Sequence, residues 1–507
     1  MPKKIFASVS PALFLSLLLL GMHVPKAAAT AAAQGVWSTL PNLAPINPIH
    51  AALLPNGKVL IVAGSGNCPP TETGCPGYPN ASYAGPYGPS NGSGATLYDP
   101  VAGTFTPFSV SWDMFCNDMV LLPDGRALIV GGTLAYGPYK GQVNTSIFDP
   151  STNTFTNVQN MLHGRWYPTV TTLGDGRAMT FSGLDENSNI NNAVEFYAVG
   201  SGWSPPQVAS WTPDLYPRMH LLPNGKVFLS GPGQASYSFD PLTVTWSFVT
   251  YSNYGWRGYG TSVLLPLTPA NNYEPKVIIM GGNSPATATT EIIDLGTASP
   301  KWVYGSPMSQ PRIEMNAVIL PNGKVLAMGG STNDEDVVTA SRNADLYDPV
   351  TNTFSSAGAN AYARLYHSMA LLLPDATVWL AGGNPSQGSY EPHMEIYKPA
   401  YLFQPNGAPA GRPSISRAPN SISWGSQFAV RSPNAANISS VVLVRNGTVT
   451  HSFGMDQRLV EMSFTARFGV LKVTAPPNQN IAPPGYYMLF LLNKSGVPSV
   501  AKFIRLD

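Results

Sequence analysis

The sequence is poor in charge. Of its 507 residues only 11% are Asp, Glu, Lys or Arg, the formal net charge is +1, and no basic run is present. Proteins that bind nucleic acid or an anionic membrane surface concentrate Lys and Arg on one face or in one segment. We therefore expect neither kind of partner.

Cysteine is also scarce, with three in the chain. Cys68 and Cys75 lie in one Gly- and Pro-rich segment, NCPPTETGCPGY, and in an exported protein this spacing favours a local disulfide. Cys116 is then unpaired. It is either a buried, inert thiol or a residue with a chemical role.

Long apolar runs are missing after the N-terminus. There, Lys3 and Lys4 precede an apolar run over residues 12–20, which the small-residue stretch KAAATAAAQ follows. This is the pattern of a secretory signal peptide, which we predict over residues 1–33. The run is too short to span a membrane comfortably. We expect a secreted or periplasmic monomer without a transmembrane segment.

Glycine and proline are abundant, with 48 and 49 residues. A fold that consists of many short strands and turns requires both residue types. One unit recurs at intervals of roughly 50 residues: a hydrophobic run, a Pro-Asp-Gly or Pro-Asn-Gly turn, and a second hydrophobic run that ends in glycine. The copies are LPNGKVLIVAGS (54–65), LPDGRALIVGGT (122–133), LGDGRAMTFSGL (173–184), LPNGKVFLSGPG (222–233), EPKVIIMGGN (274–283), LPNGKVLAMGGS (320–331) and LPDATVWLAGGN (373–384).

Most copies continue with a third strand that ends in Asp-Pro and a fourth strand that carries an aromatic residue, as in ATLYDPVAGTF. Four strands per unit predict an all-β fold, a seven-bladed kelch-type β-propeller over residues 34–409. The seventh unit lacks a fourth strand, and QGVWSTL (34–40) has the pattern of one. We predict that it closes the ring, with Trp37 in the place of the fourth-strand phenylalanines.

The pattern changes in the last part of the chain. Residues 410–507 contain short alternating strands, such as ISSVVLVRN and YYMLFLLN, separated by turn residues. This spacing predicts a small immunoglobulin-like β-sandwich as the second domain.

In a propeller the first strand of each blade lines the central channel, so equivalent positions converge there. We define the slot as the position six residues before the turn leucine, or its equivalent. Along the chain the slot holds Pro48, Cys116, Tyr167, Tyr216, Tyr259, Glu314 and His367, with Tyr366 just before His367. Imidazole and phenolate ligands suit Cu(II). One histidine and two tyrosines are not a complete site, however, and His451 by itself indicates only a loop tip.

Four segments resemble the copper-radical oxidases, the family of galactose oxidase and glyoxal oxidase. They are MFC (114–116), RWY (165–167), YHSMALLLPD (366–375) and THSFGMDQR (450–458). The close of the chain, PPGYYMLFLLNKSGVPSVAKFIRL (483–506), resembles the C-terminal domain of the same family. The resemblance extends from about residue 35 to residue 507.

The resemblance implies a copper site and a protein radical. Cys116 would be joined by a thioether to the ring of Tyr167, and the pair would hold the radical. Tyr167, His367 and His451 would be equatorial Cu(II) ligands. Tyr366 would be the axial ligand and the general base. The repeat supports the predicted thioether independently, because the slot places Cys116 and Tyr167 at the same position of adjacent blades.

The implied reaction is a two-electron oxidation of an alcohol or of an aldehyde hydrate, with O2 reduced to H2O2. The segment Arg165-Trp166-Tyr167 resembles the glyoxal oxidase branch, which favours small aldehydes such as glyoxal or methylglyoxal. Galactose or another primary alcohol is the alternative. Asp185 stands where the family carries a tryptophan over the thioether, and Trp166 and Trp256 are the candidates to replace it.

Further polar residues lie at or near the slot. They are Tyr216, Arg218, Arg257, Tyr259 and Glu314. Each either shapes substrate binding or packs along the channel.

After His451, Asp456, Gln457 and Arg458 either orient the hairpin or form a buried salt bridge. A kelch ring that only binds glycan or protein is the competing hypothesis for the whole chain. The joint presence of Cys116 with the predicted copper ligands argues against it.

Overall fold

The structure is a computed structural model, and it describes residues 26–63, 93–385 and 390–507. The regular secondary structure of these residues is almost entirely β, which confirms the predicted fold class. The described helices are α1 (Lys26–Gln34) and short 3-10 turns at Pro269–Asn271, Val337–Thr339, Ala400–Leu402 and Ala435–Asn437. None of them is long and apolar enough to cross a membrane. The predicted Cys68–Cys75 disulfide lies outside the described residues.

The repeats form short strands, in which hydrophobic runs alternate with the glycine turns. They are β1 (Val36–Leu43), β2 (His50–Leu53), β3 (Val59–Val62), β4 (Ser93–Asp99), β5 (Thr104–Ser109), β6 (Asp118–Leu121), β7 (Ala127–Val130), β8 (Thr133–Tyr136), β9 (Tyr139–Gly141), β10 (Thr145–Asp149), β11 (Thr154–Asn157), β12 (Thr169–Thr172), β13 (Ala178–Phe181), β14 (Ala193–Ala198), β15 (Gly202–Trp203), β16 (Gln207–Val208), β17 (Met219–Leu221), β18 (Val227–Leu229), β19 (Ala235–Asp240), β20 (Thr245–Tyr251), β21 (Thr261–Leu264), β22 (Lys276–Met280), β23 (Thr290–Asp294), β24 (Trp302–Tyr304), β25 (Ile313–Ile319), β26 (Val325–Ser331), β27 (Asn343–Asp348), β28 (Thr353–Ala359), β29 (Met369–Leu372), β30 (Val378–Ala381) and β31 (His393–Lys398).

Within the described residues these strands build a series of antiparallel sheets, each with a four-stranded core. The strand orders are β2-β3-β4-β5, β6-β7-β10-β11, β12-β13-β14-β15, β17-β18-β19-β20, β21-β22-β23-β24, β25-β26-β27-β28 and β29-β30-β31-β1. β16 pairs with β14, and β8 and β9 form a separate hairpin.

The first strands of successive sheets lie side by side. β2 neighbours β6, β6 neighbours β12, β12 neighbours β17, β21 neighbours β25, β25 neighbours β29, and β29 neighbours β2. β17 and β21 are joined by a hydrogen bond between His220 Nε2 and Ser262 Oγ at 2.7 Å. The first strands therefore encircle a common axis.

The ring closes between the two ends of the repeat region. β1 pairs antiparallel with β31, and Trp37 lies opposite Tyr397. In the first sheet Phe105 lies opposite Tyr98 in the same register. The predicted role of the segment 34–40 as the last strand of the seventh unit is therefore confirmed.

The residues just before β1 differ from expectation, because we placed them outside the fold. They form the end of α1, where the Ala31 side chain is buried. The hydroxyl of Tyr397 donates to Gln34 O at 2.8 Å, and a Cβ on Gly35 would lie 2.4 Å from Lys398 O. These contacts continue the pairing of β1 with β31 and so hold the end of α1 against β31.

A buried ion pair recurs inside four sheets. It joins an arginine before the first strand to a carboxylate on the third strand: Arg165–Glu195 at 2.7 Å, Arg257–Glu291 at 2.8 Å, Arg312–Asp345 at 3.0 Å and Arg364–Glu395 at 2.7 Å. Each guanidinium also donates to a backbone carbonyl at the end of the second strand, as Arg312 does to Gly329 O at 2.9 Å. The pair thus fixes the segment that carries the slot to the body of its sheet.

The second domain is a sandwich of two sheets, as predicted. Its strands are β32 (Ser421–Ile422), β33 (Gln427–Arg431), β34 (Ile438–Arg445), β35 (Thr448–Thr450), β36 (Phe453–Met455), β37 (Leu459–Met462), β38 (Phe464–Arg467), β39 (Val470–Thr474), β40 (Gly485–Asn493) and β41 (Lys502–Leu506). The sheets are β32-β41-β40-β34-β37 and β33-β39-β38. The hairpin β35–β36 leaves the sandwich and pairs with β2 of the first sheet.

We expect the buried pairs to stabilise the ring. Arg312→Met would strand the Asp345 carboxylate in the interior and lower the free energy of unfolding by about 3–5 kcal/mol, measured by chemical denaturation. Lys276 and Asp294 form an exposed pair at 2.9 Å, and Lys276→Met should cost less than about 1 kcal/mol. Equal effects of the two substitutions would contradict this role.

Candidate metal centre

The slot residues share an uncommon backbone conformation. Their φ angles are 62° at Cys116, 65° at Tyr167, 46° at Tyr216, 50° at Tyr259, 62° at Glu314 and 65° at His367. Left-handed φ is unfavourable for residues with a Cβ and persists only where the surroundings impose it, commonly at functional sites. Pro48, at the remaining slot, cannot adopt this conformation, because its ring fixes φ at a negative value.

Backbone hydrogen bonds join neighbouring slots. Tyr167 N donates to Cys116 O at 3.0 Å, Tyr216 N to Tyr167 O at 3.0 Å, and Glu314 N to Tyr259 O at 2.9 Å. Successive slot residues therefore lie at one level of the channel.

His451 reaches this level from the second domain. β35 pairs with β2, which sets Thr450 opposite His50, and His451 follows in the tight turn to β36 with φ 44°. Its imidazole is buried, and its Nε2 lies 3.0 Å from Nε2 of His367.

Hydrogen bonds on the far side of each ring identify the tautomers of this pair. Nδ1 of His367 lies 2.8 Å from Asn384 Oδ1, which can only accept. Nδ1 of His451 lies 2.5 Å from Thr450 Oγ1, and the Thr450 hydroxyl already donates to Ile49 O at 3.1 Å. From these partners we assign the proton of each neutral ring to Nδ1. In this assignment the two Nε2 atoms face each other with their lone pairs.

A proton is a poor cation for this position. Burial lowers the pKa of His367 to about 3. It also lowers the pKa of His451 well below the usual value, with smaller contributions from the charges of His367, His50 and Arg218. Two neutral imidazoles whose lone pairs converge, each oriented by a hydrogen bond on its other nitrogen, form the arrangement in which histidines bind metals.

The remaining predicted ligands surround the histidines. Sγ of Cys116 lies 3.9 Å from His451 Nε2, and the ligand atoms of Cys116, His367 and His451 lie within 4.8 Å of one another. The ring centroid of Tyr167 is 4.6 Å from that of His451. The ring centroid of Tyr366 is 3.8 Å from that of His367. The structure thus brings all five predicted residues together.

These residues differ in access and protonation. Tyr167 is buried while Tyr366 is half-buried, so a small molecule in the channel can reach the latter. Cys116 is buried and forms no disulfide within the described residues. Burial, and then the Asp113 carboxylate, raise the pKa of the Cys116 thiol well above the usual value, which keeps it protonated.

An indole covers Tyr167. The rings of Trp166 and Tyr167 are parallel within 8°, with centroids 3.7 Å apart. Trp256 is 51% exposed instead. Of the two tryptophans considered from the sequence, Trp166 occupies the stacking position.

Three of the residues considered for substrate binding are held in packing roles. The Tyr216 hydroxyl donates to Asn117 O at 2.7 Å. Arg218 is buried and donates to Gly260 O and His451 O, and Arg257 belongs to a buried ion pair. Tyr259, whose ring centroid lies 5.3 Å from that of Tyr366, and Glu314 beside it remain candidates for substrate contact.

The residues after His451 fasten the hairpin to three first strands. Asp456 accepts from Thr172 N of β12 at 3.0 Å. Gln457 accepts from Ile319 N of β25 at 2.9 Å, and the Arg458 guanidinium donates to Leu221 O of β17. Arg445 is the nearest cation to Asp456, at 3.8 Å. These contacts support orientation of the hairpin rather than a tight salt bridge.

Three supporting residues escaped the sequence analysis. Asn384 and Thr450 orient the two imidazoles, and His50 Nε2 accepts from Cys116 N at 3.1 Å. Thr450 is adjacent to His451, and Asn384 directly follows the glycine pair of the seventh unit, so both lie at marked positions of the repeat. No sequence signal shows that His50 contacts the slot.

The chain matches known proteins along most of its length. A family model described as "Glyoxal oxidase N-terminus" matches residues 92–401, and one described as "Galactose oxidase-like, Early set domain" matches residues 412–506. A relative named galactose oxidase, from Gibberella zeae, is 28% identical over 93% of this chain and 70% of its own length. Another, named aldehyde oxidase GLOX, from Vitis pseudoreticulata, is 30% identical over 81% of this chain and 85% of its own.

A solved structure shares the fold. It is described as a novel fungal alcohol oxidase of the AA5 family in complex with copper, and it superposes with a TM-score of 0.79 at 24% identity over 94% of this chain and all of its own. Family models that cover both domains, together with a relative at 30% identity over most of both chains, establish the relationship. This chain belongs to the copper-radical oxidase family that includes glyoxal oxidase and galactose oxidase.

Proposed function

We propose that this protein oxidises small aldehydes, of the glyoxal or methylglyoxal type, as their hydrates by two electrons and passes the electrons to O2. The reaction converts RCH(OH)2 and O2 into RCOOH and H2O2. The observation that carries the proposal is the pair of imidazole Nε2 atoms 3.0 Å apart, in rings whose Nδ1 atoms each have a hydrogen-bond partner of their own. We further propose that the protein is exported.

The donor set fits a copper ion. His367, His451, Tyr167 and Tyr366 would hold it through two imidazole nitrogens and two phenol oxygens, a set that suits Cu(II). Copper bound there would supply one of the two redox equivalents and lower the pKa of a coordinated hydroxyl.

The protein residues divide the remaining tasks. Tyr366 is half-buried; held as the phenolate by bound copper, it would accept the proton of the substrate hydroxyl as general base. Tyr167, joined to Cys116 by a thioether, takes the hydrogen atom from the adjacent carbon. Asn384 and Thr450 keep the imidazoles in the tautomers that leave both Nε2 atoms available.

Two classes of substrate fit this chemistry. Relatives carry the names aldehyde oxidase and galactose oxidase, so primary alcohols are the second candidate substrates. The Arg165-Trp166-Tyr167 segment favours the aldehyde. Tyr259, whose ring lies near that of Tyr366, and Glu314, whose N–H donates to Tyr259 O, would be the contacts that select between them.

The thioether is the first prediction to test. After copper loading in air, we expect the peptide with Cys116 to be linked to the peptide with Tyr167, with the loss of two hydrogen atoms and resistance to thiol reduction. Peptide mass spectrometry measures this, and Cys116→Ser is the control without the link. Separate peptides after full copper loading would refute the radical mechanism.

The base is tested by Tyr366→Phe. Loss of a general base should lower kcat by about 10²–10⁴-fold, whereas copper content and the thioether should persist because the other ligands remain. A peroxide assay over glyoxal, methylglyoxal, galactose and simple primary alcohols gives the rates and ranks the substrates. Tyr251→Phe, at an exposed position, should keep the wild-type rate; the same rate in Tyr366→Phe would exclude this role.

Orientation of His367 is tested by Asn384→Leu. Removing the acceptor for Nδ1–H should weaken copper binding by about 10–100-fold, measured by competition with a chelator of known affinity. Asn406→Leu, at an exposed position, should leave the affinity unchanged. An Asn384→Leu protein with wild-type affinity would show that the hydrogen bond does not prepare the site.

A further inference from the structure

The stack over Tyr167 does not end at Trp166. The ring of Tyr139 lies on the other face of the indole, with centroids 4.5 Å apart and planes within 19°. Exposure rises along the stack, from 5% at Tyr167 to 7% at Trp166 and 37% at Tyr139. Three oxidisable rings thus lead from the buried tyrosine to solvent.

The outer ring is held firmly. Tyr139 lies on the hairpin β8–β9, opposite Tyr136, whose hydroxyl donates to Asp113 Oδ2 at 2.6 Å. A Cβ on Gly141 would lie 2.1 Å from Leu184 O, so only glycine lets the hairpin approach the Trp166 segment this closely. The backbone of Trp166 forms two hydrogen bonds with that of Leu184: Trp166 N donates to Leu184 O at 2.9 Å, and Leu184 N donates to Trp166 O at 2.7 Å.

The middle ring can exchange an electron without a proton. Among the residues that the structure describes, the buried indole N–H of Trp166 has no hydrogen-bond acceptor. An oxidised indole therefore has no nearby base to take its proton. It keeps the proton and can pass an electron from Tyr167 on to Tyr139. The phenol of Tyr139 is different, because solvent at its exposed edge can take and return the proton.

We propose that Tyr139, Trp166 and Tyr167 form a route for single electrons, and that Tyr139 is the surface site at which small outer-sphere oxidants and reductants reach the buried tyrosine. The proposal rests on the proposed function, which makes Tyr167 redox-active. Substrate oxidation at Tyr167 does not use the route, whereas activation and loss of the radical by outside agents do.

The electrons balance with ferricyanide as oxidant. Tyr139 gives one electron to ferricyanide, which becomes ferrocyanide, and its phenol proton to water. It then takes one electron from Tyr167 through Trp166 and a proton from water. In sum, Tyr167, held as the phenolate, loses one electron and becomes the neutral radical. Ferrocyanide reverses the sequence.

The experiment uses the copper-loaded protein, reduced by one electron so that Tyr167 is not a radical. Stopped-flow absorbance and electron paramagnetic resonance follow the radical after ferricyanide is added. Tyr139→Phe keeps an aromatic ring in the stack but removes the oxidisable phenol. We expect radical formation to slow by roughly tenfold or more, a barrier increase of about 1.4 kcal/mol, with the steady-state rate on substrate unchanged.

Two further variants make the test specific. Tyr139→Trp restores an oxidisable ring and should recover much of the wild-type rate, and Tyr304→Phe, at an exposed position on β24, should match the wild type. Wild-type rates in Tyr139→Phe would overturn the route and leave the oxidase intact. A wild-type protein that forms neither thioether nor radical would overturn the proposed function, and the route with it.

Discussion

The Nε2 atoms of two buried imidazoles, those of His367 and His451, lie 3.0 Å apart. Much of the surrounding structure serves to keep them there. Burial lowers the pKa of both imidazoles, which disfavours an extra proton between the two nitrogens. The contact persists because each ring is fixed from behind, by Asn384 and by Thr450. The hairpin that brings His451 is in turn hydrogen-bonded to several first strands. The second domain thus supplies one of the two imidazoles, and the ring fixes its position.

The ring contributes rigidity through repetition. In four sheets an Arg–carboxylate pair fixes the segment before the slot to its own sheet, and hydrogen bonds between neighbouring slots join one sheet to the next. The left-handed conformation at six of the slots costs free energy at each of them. It persists because the packing and hydrogen bonds of the ring impose it. The positions of the side chains at the centre are therefore set by the whole ring and not by any single blade.

The repeat made much of this predictable. Counting back from the turn leucine brought Cys116, Tyr167 and His367 to one level, because a common register along first strands implies a common height in the channel. The closing strand followed from the missing fourth strand and from Trp37. The role of His451 came from resemblance alone, since β35 pairs with β2 across nearly the whole chain. Asn384 and Thr450 act through side-chain geometry, which spacing does not encode.

Asp185 shows most clearly where reasoning by position fails. Its carboxylate accepts from Asn187 N and Asn189 N at 2.8 and 2.9 Å, so the residue shapes a turn instead of covering the site. The covering ring comes from Trp166, the immediate neighbour of Tyr167. In an extended strand consecutive side chains point to opposite faces. Here Tyr167 has left-handed φ, which breaks the alternation and allows the two rings to stack at 3.7 Å.

The same backbone conformation brings two neighbouring rings together a second time, on the opposite side of the centre. His367 also has left-handed φ, and the ring of the preceding Tyr366 lies 3.8 Å from its imidazole. One backbone irregularity, repeated at equivalent positions, therefore places a pair of adjacent side chains on the same face at each. A channel lined by single residues from each blade would offer too few groups for this chemistry. With two residues from a blade, the centre gains both its half-buried phenol and the ring that covers Tyr167.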